Sequence, residues 1–164
     1  MGLLDKLFGK KEAEEMEIGA PLEGEVVPIS QVNDPTFSDE ILGKGIAIRP
    51  TGNKVYAPCD GTIGMMFDTG HAVSMTSADG AEILIHVGLE TVGLKGKHYT
   101  IHAANGDEVK KGQLLIEFDR EAIAAEGYDT ITPVVICNSA DYSEVKTFTG
   151  KTVNAGEKII ALVK

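Results

Sequence analysis

Short runs of β-branched and apolar residues, each bounded by Gly, Pro, Asn or Asp, recur along nearly the whole chain. The pattern predicts strands at 25–29, 46–50, 54–57, 62–67, 72–77, 81–87, 113–118, 132–138 and 158–163. Helical spacing is rare inside the domain. It predicts one short helix at 119–126, opened by the acidic cap Asp119 ahead of an Ala-rich turn. Many short strands separated by turns predict a mainly β fold, a compact antiparallel sandwich or barrel.

The first residues carry a different pattern. Leu3, Leu4, Leu7 and Phe8 recur at helical spacing, while Asp5, Lys6, Lys10 and Lys11 take the other side. Residues 1–11 therefore read as an amphipathic segment, and two readings of it stay open: a weak contact with an anionic membrane surface, or a frayed terminus. The apolar run is too short for a secretory signal, and Lys6 stands where N-myristoylation prefers Ser or Thr. Residues 11–17 carry four Glu and read as a solvated linker. The expected division is 1–17 for this segment and linker, and 18–164 for the folded domain.

Two internal repeats point to duplicated β-modules. Ala20-Pro21-Leu22-Glu23-Gly24-Glu25-Val26 recurs as Ala57-Pro58-Cys59-Asp60-Gly61-Thr62-Ile63. Gly106-Asp107-Glu108-Val109-Lys110-Lys111-Gly112, ahead of Leu115-Ile116, recurs as Gly150-Lys151-Thr152-Val153-Asn154-Ala155-Gly156, ahead of Ile159-Ile160. Each unit occurs twice and the two periods differ, which excludes a solenoid.

Composition and charge narrow the chemistry. With 15 basic against 25 acidic side chains the formal charge is −10, which argues against extensive phosphate-backbone contact and hence against nucleic acid as a partner. Cys59 and Cys137 form neither a C-x-x-C pair nor a metal-ligand spacing, and no run of 18 apolar residues exists. A soluble, reduced, cytosolic protein is expected, and a monomer.

The segment from His71 to Gly88 holds the candidate chemistry. Ala78-Asp79-Gly80 separates two strand-like runs, and Asp-Gly signals a two-residue type I′ hairpin turn. In that register Val73 faces His86 and His71 faces Gly88. The two histidines then share a face as diagonal neighbours, with Cβ atoms about 7 Å apart. A three-residue loop would instead send them to opposite faces. On the second run Ile83, Ile85 and Val87 point toward a core, whereas Leu84 and His86 point away from it. Gly88 frees the backbone beside the rings, and a nearby carbonyl accepting one His86 N–H would leave the other nitrogen as a nucleophile. A catalytic zinc site usually has three protein ligands, whereas two are evident here, without H-x-H or H-E-x-x-H. Neither G-x-S-x-G nor a phosphate-binding glycine loop is present. Phosphoryl transfer onto an imidazole is the chemistry left, since its loose transition state needs mainly positioning and donors.

Thr69-Gly70-His71-Ala72, the run from Glu82 through Val92, Leu94-Lys95-Gly96 and Gly106-Asp107-Glu108-Val109 resemble the glucose-type enzyme IIA of the bacterial phosphoenolpyruvate-dependent sugar phosphotransferase system. Asp60-Gly61-Thr62-Ile63-Gly64 and Ile131-Thr132-Pro133-Val134-Val135 match family segments as well, so the resemblance runs from Ile18 to Lys164. It implies an antiparallel β-sandwich with internal duplication and a phosphocarrier role in sugar uptake. It also implies that His86 carries the phosphoryl group on Nε2, that His71 is the second active-site histidine, and that Thr69 orients its ring. The donor would be the histidine phosphocarrier protein and the acceptor the Cys of a glucose-type enzyme IIB, with regulatory targets as further partners. Asp34, Phe37, Phe67, Gly88 and Glu90 match positions around the docking face. Pro35 and Thr36 replace apolar residues of the family pattern, Gly70 is a small variant, and Glu90 replaces the commoner Asp.

No cofactor is required by this reading. A zinc ion held by His71 and His86 would need a carboxylate lent by a partner. His98 and His102 match no family role and read as surface residues. A lysostaphin-type zinc peptidase is similar in its glycine-rich turns but needs an H-x-H where Val87-Gly88 follow His86. A lipoyl- or biotinyl-type carrier needs a motif-flanked Lys at a hairpin tip, which is absent.

Overall fold

A computed structural model describes residues 15–164 of the chain, so the amphipathic pattern at residues 1–11 lies outside the described residues. All nine predicted strands form, with ends within two residues of the expected ones. In chain order the strands are β1 (Glu15–Gly19), β2 (Gly24–Pro28), β3 (Lys44–Pro50), β4 (Lys54–Tyr56), β5 (Gly61–Met66), β6 (Ala72–Ser77) and β7 (Glu82–His86). After them come β8 (Tyr99–Ile101), β9 (Glu108–Val109), β10 (Leu114–Phe118), β11 (Thr132–Ile136), β12 (Glu144–Thr147), β13 (Lys151–Val153) and β14 (Lys158–Val163). Helix α1 spans Pro35–Ser38 and α2 spans Arg120–Ala125. The predicted cap is present at α2, where the Asp119 carboxylate accepts from the Ala122 amide at 3.0 Å.

The acidic linker ends earlier than expected. Glu15 to Gly19 already pair with β14, because Met16 and Ile18 point inward while Glu15 and Glu17 point out to the ammonium groups of Lys146 and Lys158. The alternation hidden in Glu-Met-Glu-Ile is that of a strand, not of a solvated tether.

An eight-stranded antiparallel sheet runs in the order β13-β2-β3-β11-β7-β6-β5-β9, and two three-stranded sheets, β1-β14-β12 and β4-β10-β8, accompany it. One face of the large sheet contributes Val26, Ile46, Ile48, Val73, Met75, Ile83, Ile85 and Val134 to a continuous core with Ile18, Val55, Leu115, Ile159 and Leu162 of the smaller sheets. Each fully buried Ile or Leu there contributes about 1.5–3 kcal/mol through removal of apolar surface from water. Val27, Ala47 and Val135 face the other way, where Ile29, Val32, Phe37, Leu89 and Ile131 cover them in a second cluster.

The two sequence repeats interlock. Residue Ala20 exchanges backbone hydrogen bonds with Gly156 (2.8 Å) and Glu157 (2.7 Å), just as Ala57 does with Gly112 (2.9 Å) and Gln113 (2.8 Å). Val153 pairs with Gly24 and Val109 with Gly61. The Gly150 amide donates to Val26 and the Gly106 amide to Ile63, both at 2.8 Å. Each copy of the first repeat is thus paired with a copy of the second. The large sheet is correspondingly symmetric in order about β11 and β7, which carry the centre of the duplication. That arrangement explains two unequal periods from a single doubled module.

Candidate active site

The two histidines are brought together by the ends of β6 and β7. Their hairpin differs from the expected one: Gly80 N–H donates to the Ser77 carbonyl (2.9 Å), Ser77 N–H to that of Ala81 (2.8 Å), and Ala72 stands opposite His86. The loop is therefore Ala78-Asp79-Gly80, three residues long. A type I′ turn needs positive φ at both central residues, but only Gly80 (φ +95°) supplies it here, and Asp79 does not.

In this register strict alternation would place His71 and His86 on opposite faces, yet their ring centroids are 5.0 Å apart at 79°. Residue His71 precedes β6 and follows the turn closed by the Gly70 amide on the Phe67 carbonyl (2.7 Å), so its ring escapes the strand alternation and meets His86 at the sheet end. The backbone still pairs there, with the Val87 amide donating to the His71 carbonyl at 2.6 Å. The expected convergence is present; the hairpin that was to produce it is not.

Each ring is held by its Nδ1. His86 Nδ1–H donates to the Gly88 carbonyl at 2.7 Å, which leaves the lone pair on Nε2. His71 Nδ1 is hydrogen-bonded to the Thr69 hydroxyl. The Phe37 ring lies 5.2 Å from His86 and the Phe67 ring 5.3 Å from His71. Gly88 has φ +89°, and a Cβ added there would stand 2.6 Å from Thr91 Cγ2 and 3.1 Å from the Asp129 carbonyl oxygen. Only glycine places its carbonyl under the His86 ring without displacing Thr91.

Both imidazoles are neutral at pH 7. Burial, helped by the neighbouring His86, pushes His71 down to about 4. Burial lowers His86 too, against the opposing pull of the Gly88 carbonyl and Asp34. The folded protein thus refuses protons that the unfolded chain accepts below about 6.5. Stability from this source is complete above that value and is lost as pH falls toward 4. NMR titration should find the His71 ring still uncharged at pH 5.5, and urea unfolding should give equal stabilities at pH 8 and 7 with a decline at pH 5; a His71 ring charged at pH 6 would contradict this.

The predicted docking residues surround the pair. Asp34 caps α1, its carboxylate accepting from the Thr36 amide at 3.0 Å. Glu90 is exposed, and Asp34, Glu90 and Asp129 line a groove of about 410 Å³. His98 and His102 are elsewhere: His98 pairs with Glu126, and His102 with Glu117 at 2.7 Å. Among the described residues, no three His, Cys, Asp or Glu side chains are gathered to hold a metal ion, so the chain gives the zinc reading no support. Sequence reasoning gave Thr91 and Tyr99 no role, yet both hydroxyls donate to the Val87 carbonyl at 2.8 Å. Thr91 is fully buried, a fact its sequence neighbours Glu90 and Val92 do not signal.

Comparison with known proteins places this geometry in context. A family model described as the phosphoenolpyruvate-dependent sugar phosphotransferase system, EIIA 1, matches residues 16–142. The chain is 45% identical over 166 residues to the PTS system glucose-specific EIIA component of Haemophilus influenzae, covering 100% of this chain and 99% of that one. It is 50% identical over 144 residues to the PTS system beta-glucoside-specific EIIBCA component of Dickeya chrysanthemi, covering 88% of this chain and spanning 23% of that protein's length. Among solved structures, glucose permease IIA from Mycoplasma capricolum superposes with a TM-score of 0.83 at 27% identity, over 90% of this chain and 96% of that one.

Proposed function

Because the chain belongs to the EIIA 1 family of the phosphoenolpyruvate-dependent sugar phosphotransferase system, and is therefore a phosphocarrier of that cascade, we propose that His86 is the phosphoryl carrier and His71 its helper. The His86 Nε2 lone pair attacks the phosphorus of the donor's phosphohistidine. The new N–P bond forms as the donor's N–P bond breaks, and the donor nitrogen recovers the electron pair. In the second half a cysteine thiolate of an enzyme IIB attacks the same phosphorus, and His86 leaves as the neutral imidazole. The observation that carries this reading is the pair of neutral rings 5.0 Å apart, with His86 Nδ1–H tied to Gly88 so that Nε2 is free.

His71 contributes a donor. In this reading the Thr69 hydroxyl, hydrogen-bonded to Nδ1, is the donor of that bond, which puts the His71 proton on Nε2, where it can bond a phosphoryl oxygen as charge spreads over the equatorial oxygens. Phe37 and Phe67 exclude water from the flanks, while Asp34 and Glu90 meet basic side chains of the donor, an attraction that raises the association rate. Regulatory partners that sense the phosphorylated state would dock on the same surface. The helical spacing of Leu3, Leu4, Leu7 and Phe8 against three Lys supports a contact of residues 1–11 with anionic lipid at the cytoplasmic membrane face. No helix of the described residues is long and apolar enough to cross a membrane.

Incubation of the full chain with radiolabelled phosphoenolpyruvate and the donor cascade tests the proposal. The bound phosphate should be released by acid and retained in alkali, as a P–N bond requires. Retention in acid would identify a phosphoester and reject the assignment.

A further inference from the structure

The backbone of Val87, next to His86, is held by three hydrogen bonds. Its N–H donates to the His71 carbonyl at 2.6 Å, and its carbonyl, in the following peptide unit, accepts from Thr91 Oγ1 and Tyr99 Oη, each at 2.8 Å. Thr91 is local, four residues after Val87 and at the start of a short 3-10 helix. Tyr99 comes from β8, a strand of a different sheet, and reaches across to the site. Its Cβ also lies against Gly70, where an added Cβ would be 2.9 Å away, so the same residue abuts the chain just ahead of His71. Half-buried, and with burial pushing its hydroxyl up to about 12, Tyr99 stays a neutral donor throughout the working range.

We propose that Tyr99 is a positioning residue for phosphoryl transfer, acting through the Val87 carbonyl to hold the Gly88 carbonyl under His86 Nδ1. The hydroxyl touches neither ring. It fixes the orientation of the Val87–Gly88 peptide, and the next carbonyl along is the acceptor that selects the His86 tautomer. A rotation of that peptide would loosen the Nδ1–H bond and let the proton move to Nε2, the atom that must be unprotonated to attack. This inference rests on the assignment of His86 Nε2 as the acceptor atom.

Tyr99→Phe in the full chain removes one oxygen, retains the ring against Gly70, and leaves Thr91 bonded to the Val87 carbonyl, so no buried acceptor is orphaned. Two readouts apply: ¹⁵N shifts of the His86 ring, which report the tautomer without any phosphate, and the rate of phosphorylation by the donor. The expected result is a larger Nε2–H fraction at pH 8 and a rate lowered by about three- to tenfold, the effect of one net hydrogen bond. Thr91→Val should move both readouts in the same direction. An unchanged His86 tautomer in Tyr99→Phe would overturn the proposal, whether or not the rate fell. If the unaltered protein took no phosphate on His86, the functional assignment would fail, while the ring shifts would still decide whether Tyr99 sets the tautomer.

Discussion

His86→Ala is expected to take up no phosphate from the donor cascade. Among the described residues, His86 joins an imidazole with a tethered Nδ1 to a strand end bordered by an apolar rim, and His71 has its own Nδ1 engaged by Thr69. The substitution also removes a ring packed between Phe37 and His71, so circular dichroism must first show a native β spectrum. With the fold intact, labelling should fall to background. Phosphate appearing at wild-type rate in His86→Ala would remove the central assignment, and phosphate found on His71 would reverse the roles of the two rings.

His71→Gln should remain able to accept phosphate, but roughly 10²-fold more slowly or with impaired passage to the next carrier, the cost of misplacing one donor aimed at transition-state charge. Glutamine keeps an N–H at similar reach but loses the ring that Thr69 orients and that stacks edge-on against Phe67. Burial of His71 means the variant also places a flexible amide in a largely dry position, so its donor is both displaced and less fixed. Rapid-mixing kinetics of the two half-reactions separates the possibilities: unchanged rates in both would make His71 structural, whereas a variant wholly unable to accept phosphate, alongside a His86→Gln that still accepts it, would make His71 the carrier.

Much of this architecture was legible in the sequence because strand alternation is local. Ile83, Ile85 and Val87 enter the core and Leu84 packs on the opposite face, as the apolar–polar alternation requires. The hairpin was misread for an equally local reason. Asp-Gly serves a two-residue loop with Asp79 in the left-handed region and a three-residue loop with Gly80 alone there, and the difference lies in a backbone angle that letters do not encode. Strands β1, β8, β9, β12 and β13 escaped prediction because they are short and half-exposed, and are defined by partners distant in the chain. Tyr99 and Thr91 escaped because they bond a main-chain oxygen, which leaves no mark on the identity of residue 87.

The interlocked repeats bear on how the molecule is made. Lys151 pairs with Val26, and Glu15 with Val163, so β1 finds its sheet partner, and β2 its outer neighbour, only in the closing strands. A chain emerging from the ribosome cannot seat its outer copy, residues 20–26, until residues 150–156 have been synthesised, whereas the inner copy closes within 54–118, where 57–63 pair with 106–112. Long-range closure of this kind slows assembly and leaves unpaired edges exposed meanwhile. The hairpin that presents the two histidines, built from β6 and β7, lies in that inner half and waits only for β11 to cover its outer edge.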